Sequence, residues 1–298
     1  MKNKILIFGA GTIGVFIGTK LKDAGFDITL KGRKRLDQLN DIIHINDSVQ
    51  TELPHRADRL DNTKFDVIFV TVKLYDLLPA LEEISSRHIS YDTLVLTQNG
   101  IQTDKILDGS DRKKIVKIAI FEGYTIASKD KILAQDNLRG WQLNESSGSE
   151  SILEILGKAG IKAEISKNFD TIKAEKMLIN CSVSALSIIK DKTIGNLMND
   201  SEDRSVVIKL IDETYSVLCA KYNMRPLDQV RQITIASLEA NASHYPSLYQ
   251  DFKRGEKTEL DYFNGQIIQW AKELNIPVHV SEEIYNKAKQ ILGSNTRS

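Results

Sequence analysis

The sequence predicts an α/β, Rossmann-type N-terminal domain followed by an all-α C-terminal domain. Three observations predict it. A short apolar strand near the N-terminus runs straight into a G-x-G-x-x-G turn. Strand-like and helix-like segments then alternate through the first half, which argues for a parallel sheet with crossover helices. Beyond residue 168 the apolar residues recur at three-and-four spacing almost to the end. The expected division is therefore 1–167 for the Rossmann-type domain and 168–298 for the helical one.

The first strand, from Lys4 to Phe8, leads into Gly9-Ala10-Gly11-Thr12-Ile13-Gly14. Gly9 permits the tight turn, Gly11 lets a pyrophosphate approach the backbone, and Gly14 lets the next helix pack close to the sheet. That helix, Ile13 to Ala24, would aim its free N–H groups at the phosphates. Gly25 and a second strand, Asp27 to Leu30, complete the unit. An NAD-binding unit usually places an acid at the end of this strand to hold the ribose hydroxyls. None stands here, and the strand runs into Lys31-Gly32-Arg33-Lys34-Arg35. A guanidinium can meet a 2′-phosphate with paired, charge-assisted hydrogen bonds. NADP(H) is therefore favoured over NAD(H), with Arg33 the expected contact and Lys31 or Arg35 in support. The plainer reading of such a run is a solvated basic loop.

Asp41 to Asn46 and Ser48 to Leu53 read as an antiparallel pair turning at Asn46-Asp47. Phe65 to Val72 is apolar almost throughout, as a central strand covered on both faces must be. Thr93 to Thr97 and Lys114 to Ile120 are further strands. Lys131 to Gln135 and Gly140 to Leu143 add β structure. Gly148 to Ala159 is a helix and Ile161 to Ile165 a last short strand. Five helical segments follow: Thr171 to Ile189, Ser201 to Asn223, Leu227 to Asn241, Lys257 to Leu274 and Ser281 to Gly293. Pro226, Pro246 and Pro277 punctuate their boundaries.

With 298 residues the chain is long enough for two domains. Its formal net charge is zero, so no basic field suggests a nucleic-acid partner. Apolar runs are strand-sized, short of the roughly 20 residues a membrane span needs. A core strand beginning within four residues of the N-terminus leaves no room for a signal peptide, so a cytoplasmic protein is expected. The two cysteines, Cys181 and Cys219, read as buried small residues in helices. The five histidines form no H-x-x-x-H pair, so no dedicated metal site is expected.

Ligands of such a fold bind at the carboxyl ends of the strands, in a crevice expected to face the helical domain. Lys73 directly follows the long buried strand, and Gln98-Asn99-Gly100 follows the next. Asn99 can donate and accept near a nicotinamide or a carboxylate. Lys176 and Asn180 stand four apart and so share a helix face, which Ser184 continues. Lys176 reads either as a surface cap with a snorkelling stem or as a cleft acid tuned by desolvation. Glu259 reads either as a first-turn carboxylate favoured by the helix dipole or as a holder of a substrate hydroxyl.

Taken in order, these pieces resemble the ketopantoate reductase family over essentially the whole chain. Gly9 to Gly14 looks like its cofactor loop. Thr71-Val72-Lys73 and Gln98-Asn99-Gly100 are similar to its V-K and N-G signatures. Lys176-Met177-Leu178-Ile179-Asn180 resembles its K-x-x-x-N helix. Ser247-Leu248-Tyr249-Gln250-Asp251, with Thr258-Glu259-Leu260-Asp261-Tyr262-Phe263-Asn264-Gly265, looks like its S-x-x-x-D and E-I-D-x-x-x-G ending. The resemblance implies that Lys176 is the general acid and that Glu259 holds the distal hydroxyl of the substrate. It implies that Asn180 and Ser247 fix the substrate's polar groups, with Ser184 beside them. Lys73 and Asn99 would organise the nicotinamide end, and Arg33 would contact the 2′-phosphate. The chain departs from the family pattern at Ser184, where many members carry Asn, and at Ile194, where a further Asn is common.

The expected activity is NADPH-dependent reduction of ketopantoate (2-dehydropantoate) to pantoate, for pantothenate and coenzyme A synthesis. Ser184 and Ile194 favour a second reading, in which the substrate is another small 2-oxo acid. A third reading, from a different class, is a non-catalytic NADP(H)-binding sensor. The long helical domain offers a face on which a homodimer could form.

Overall fold

A computed structural model describes residues 3–32, 39–46, 49–57, 59–101, 114–135 and 139–295. The chain divides into two compact units. Met1–Asn99 and Thr103–Phe169 make the first, and Gly100–Gln102 with Asp170–Ser298 make the second.

The first unit is built on strands β1 (Lys4–Phe8), β2 (Asp27–Lys31), β3 (Ile42–Ile45), β4 (Val49–Glu52), β5 (His55–Arg56), β6 (Lys64–Val70), β7 (Ser90–Leu96), β8 (Ile115–Ile120), β9 (Gly123–Ser128), β10 (Lys131–Gln135), β11 (Trp141–Leu143) and β12 (Ala163–Ile165). Its helices include α1 (Thr12–Asp23), α2 (Leu77–Ser86) and α3 (Ser149–Lys158). Eight strands form one sheet in the order β12-β11-β8-β7-β6-β1-β2-β5. All neighbours run parallel except β11 and β8. β1 lies in the middle, with Ile7 opposite Leu30 of β2 on one side and Phe69 of β6 on the other. The chain therefore reverses its direction of travel across the sheet at β1, which is where an open α/β sheet makes its ligand crevice. β6 ends in four buried apolar residues, as a strand covered on both faces should.

The expected antiparallel pair is present as β3 and β4, with Ile43 opposite Thr51. They belong to a second sheet of order β4-β3-β10-β9. Asp47 and Ser48 of its turn lie outside the described residues. The core of the first unit gathers Ile5, Ile7, Val15, Ile17, Leu30 and Phe69 with the fully buried Trp141. The indole Nε1 of Trp141 donates to Glu122 at 2.6 Å, which satisfies the one polar group that this ring brings inside.

The second unit is helical: α4 (Phe169–Lys190), α5 (Ile194–Asn199), α6 (Ser201–Cys219), α7 (Leu227–Ala240), α8 (Ser247–Lys253), α9 (Asn264–Leu274) and α10 (His279–Asn295). Its core runs along α4 through Met177, Leu178, Leu186 and Ile188, against Leu210 and Ile211 of α6. Two acids fix helix starts. Asp200 accepts from the amides of Glu202 and Asp203 at the head of α6. Glu213 accepts from the amides of Val280 and Ser281, at 2.9 and 2.7 Å, at the head of α10.

Two expectations need correction. The segment from Lys257 is not one helix: a 3-10 turn covers Leu260–Tyr262 and α9 begins only at Asn264. Phe263, at φ −105° and ψ −87°, breaks the path while staying buried. Cys181 is buried but Cys219, the last residue of α6, is exposed. Among the described residues no helix is long and apolar enough to cross a membrane.

Candidate active site

The turn after β1 is held by three hydrogen bonds, one to the end of β2 and two from Thr71 after β6. The amide of Gly9 donates to the carbonyl of Lys31 at 2.9 Å. The amide of Thr71 donates to the carbonyl of Phe8 at 2.9 Å, and its hydroxyl to that of Gly9 at 2.6 Å. Gly9 takes φ +126°, and a Cβ there would fall 2.7 Å from the amide nitrogen of Val72. A Cβ on Gly14 would lie 1.8 Å from the carbonyl oxygen of Gly9. Both positions exclude any side chain. Gly11 differs: a Cβ there would meet nothing within 4 Å. Its glycine is not required by the protein's own packing.

Gly11 is the N-cap of α1 and offers no side-chain cap, and the first turn of the helix holds no acid. The first intrahelical bond runs from Val15 N–H to Gly11 O at 2.9 Å. The amides of Thr12, Ile13 and Gly14 precede it and point out of the helix end. Open space over Gly11 at a helix N-terminus fits a pyrophosphate, so the residues here suit a dinucleotide.

The next two strand ends carry the other expected groups. Lys73 is half-buried and its carbonyl accepts from Asp76 N–H at 2.9 Å, opening the 3-10 turn at Leu74–Asp76. Asn99 is half-buried after β7, and Gly100 takes φ +90°. Gln98 is buried, and its Nε2 donates to the carbonyls of Val70 and Val72 at 2.8 and 3.0 Å. It clamps the end of β6 to the end of β7 and so sets Lys73 and Asn99 relative to each other. Sequence reasoning assigns Gln98 no such role. A long amide between two strand ends is its only local signal. At the end of β2, Lys31 is described, but Arg33, the expected 2′-phosphate contact, and Arg35 lie outside the described residues.

In the second unit Lys176, Asn180 and Ser184 lie along one face of α4. Lys176 and Asn180 are half-buried, whereas Ser184 is buried. The neighbours Met177, Leu178, Cys181, Val183 and Leu186 are all in the core. The polar line thus runs beside the core residues of α4, a helix that also buries Lys173, Glu175, Ser182 and Ser187. Glu259 is 3% exposed, in the segment that leads to α9. Asn264, five residues later, donates its Nδ2 to the carbonyl of Cys181 at 3.1 Å. That bond ties the Glu259 segment to the turn of α4 that carries Asn180.

Ser247 is exposed at the start of α8. The same helix is anchored to the far end of α4, where Asp191 accepts from the Tyr249 hydroxyl and pairs with Lys253 at 3.0 Å. Burial, and then the Asp191 hydrogen bond, push the Tyr249 phenol up to about 12. Tyr245 stacks on Tyr249 with ring centroids 4.1 Å apart. Ile194, the departure from the family pattern, is buried among the core residues of this unit. Its side chain is committed to packing.

Two family profiles match the chain. The profile described as ketopantoate reductase PanE/ApbA covers residues 5–139, and the C-terminal profile of the same family covers residues 168–292. The chain belongs to the ketopantoate reductase family. A 2-dehydropantoate 2-reductase of Pyrococcus horikoshii is 26% identical over 99% of this chain and 100% of its own length. The crystal structure of a PanE/ApbA family ketopantoate reductase from Ralstonia eutropha superposes with a TM-score of 0.86 at 21% identity, covering 98% of this chain and 99% of that one. A ternary structure of D-mandelate dehydrogenase with NADH and anilino(oxo)acetate has the same fold, with a TM-score of 0.85 at 19% identity and the same coverage. The fold class and the family read from the sequence are therefore those the chain has, and the family is one of oxidoreductases.

Proposed function

We propose that this member of the ketopantoate reductase family reduces 2-dehydropantoate to pantoate with NADPH. The observation that carries the reading is the line Lys176–Asn180–Ser184 on α4, half-buried at its head and buried at its end. A lysine there is partly removed from water, and its ammonium can supply a proton to a substrate oxygen within hydrogen-bond reach.

A dinucleotide whose pyrophosphate is held at the loop from Gly9 to Gly14 would supply, from its reduced nicotinamide, a hydride to the carbonyl carbon of the substrate. Every other task falls to the chain. Gly11, Thr12, Ile13 and Gly14 hold the pyrophosphate through backbone amides, with Ala10 shaping the turn. Lys73 and Asn99, locked by Gln98, orient the nicotinamide end. Arg33 and Lys31 favour the 2′-phosphate. Lys176 stabilises the charge developing on the ketone oxygen and delivers its Nζ proton to it. Asn180, Ser184 and Ser247 bind the remaining polar groups of the acid, and Glu259 accepts the distal hydroxyl.

The test is Lys176→Ala. Turnover should fall by roughly a hundredfold or more, the scale of general-acid catalysis, while NADPH affinity stays unchanged. Normal turnover would remove Lys176 from the chemistry.

A second reading keeps these roles and changes the 2-oxo acid. Ser184 supports it, because a serine reaches less far than the Asn common in the family, and Ile194 supports it because its buried side chain offers no hydrogen bond. A site that loses a polar partner discriminates differently. Comparing ketopantoate with branched and aromatic 2-oxo acids as substrates separates the two.

A further inference from the structure

We propose that Glu83, a residue of α2, sets the preference between NADPH and NADH by competing with the cofactor's 2′-phosphate for Lys31. The inference rests on the NADP(H)-binding reading above and adds a residue far from the fingerprint in sequence.

Lys31 closes β2, and its carbonyl accepts the amide of Gly9 at 2.9 Å, so it abuts the phosphate loop directly. This strand end is where dinucleotide folds recognise the 2′ position of the adenosine ribose. The Lys31 side chain is only 17% exposed, and its Nζ stands 3.7 Å from Oε1 of Glu83. The strand itself supplies no acid at this end, but α2 brings one within ion-pair distance of it. A carboxylate here has two effects of the same sign. It draws Lys31 away from a phosphate, and it repels a dianion placed near the same ammonium.

The carboxylate is also built to release Lys31. Its Oε1 accepts from Arg87 Nε at 2.9 Å, one helical turn further along α2. When Lys31 turns to a 2′-phosphate, Glu83 keeps Arg87 as a partner. The exchange therefore costs little, and the remaining competition is a matter of degree. Glu83 acts as a positioning residue, and Lys31 is the group that meets the ligand.

The experiment measures dissociation constants for NADPH and NADH on the full chain, from the fluorescence of the reduced nicotinamide, at low salt. The two nucleotides differ only at the 2′ position, so general damage to the site weakens both and leaves their ratio unmoved. Glu83→Gln should raise the preference for NADPH about three- to tenfold, the scale of one unit charge a few ångströms from a phosphate. Arg87→Gln should move the ratio the other way, because Arg87 then no longer draws Glu83 from Lys31. In a Lys31→Met background only the direct repulsion is left, so Glu83→Gln should change the ratio clearly less than in the unaltered chain, and added salt should shrink the Glu83→Gln effect. An unchanged ratio in Glu83→Gln overturns the inference, as does an equal effect in the Lys31→Met background. If the unaltered chain binds neither nucleotide, the NADP(H) reading falls and the inference with it. If it binds both and the ratio ignores Glu83, only the inference falls.

Discussion

The side-chain amide of Asn264 donates to the backbone carbonyl of Cys181 at 3.1 Å, although the two residues stand 83 positions apart. Asn264 is 2% exposed, and its Oδ1 has no hydrogen-bond partner among the described residues. That bond links the segment bearing Glu259 to the turn of α4 bearing Asn180. Asn264→Ala removes the bond and leaves a small cavity. We expect a loss of about 2 kcal/mol in stability, the usual scale for a buried polar truncation. kcat/KM for the 2-oxo acid should fall while NADPH affinity holds, since the cofactor loop belongs to the other unit. Denaturation and steady-state kinetics on the same preparation check both.

Gly11→Ala isolates the cofactor loop from the fold. A methyl group there meets nothing within 4 Å, and φ −77° suits any residue. Stability should change by less than about 1 kcal/mol, the cost of an alanine N-cap. NADPH binding should weaken at least tenfold, because the methyl occupies the space the pyrophosphate needs. Gly14→Ala should instead damage the fold, with its Cβ 1.8 Å from the Gly9 carbonyl. Thermal unfolding beside nucleotide titration distinguishes the two variants.

Much of the fold and of the candidate site is legible in the sequence. The fingerprint at Gly9 to Gly14 and the apolar run of β6 depend on local geometry and burial, which composition and spacing report directly. The polar line on α4 follows from helical periodicity alone. The break before α9 does not show, because Leu260, Phe263, Ile267 and Ile268 keep helical spacing across it. Tertiary burial of Glu259 and Phe263 decides that path, and periodicity cannot see it. Helix α8 has seven residues, too few for a period to stand out. The Gln98 clamp and the Lys31–Glu83 pair join positions 26 to 52 residues apart. Nothing local encodes them.

Alkali should loosen the anchor of α8. The Tyr249 phenol is raised from 10.0 to about 12 in the folded chain, by burial first and by Asp191 second. Lys253 is raised as well, by Asp191 first. Both folded values exceed the unfolded ones, so the stability these groups add is complete below the unfolded values and is lost as pH climbs through the folded ones. The unfolding midpoint should therefore drop between about pH 10 and pH 12. Tyr249→Phe should flatten part of that drop. An unaltered alkaline profile in the variant would show that Tyr249 does not contribute.

The cysteines should react unequally. Cys219 is exposed, whereas Cys181 is buried and burial pushes its thiol up. Only thiolate reacts, so a mild thiol reagent should modify one cysteine in the native chain and two after denaturation. Mass spectrometry of peptides assigns the site. Fast native labelling of Cys181 would place that face of α4 in contact with solvent, contrary to its core packing.

The central claim is a reaction, and one assay addresses it. Purified chain is mixed with NADPH and ketopantoate, and the reduced-nicotinamide absorbance is followed, with NADH as the paired control. The account predicts loss of absorbance with NADPH that is faster than with NADH and absent without ketopantoate. No turnover of ketopantoate by a chain that binds NADPH would contradict it.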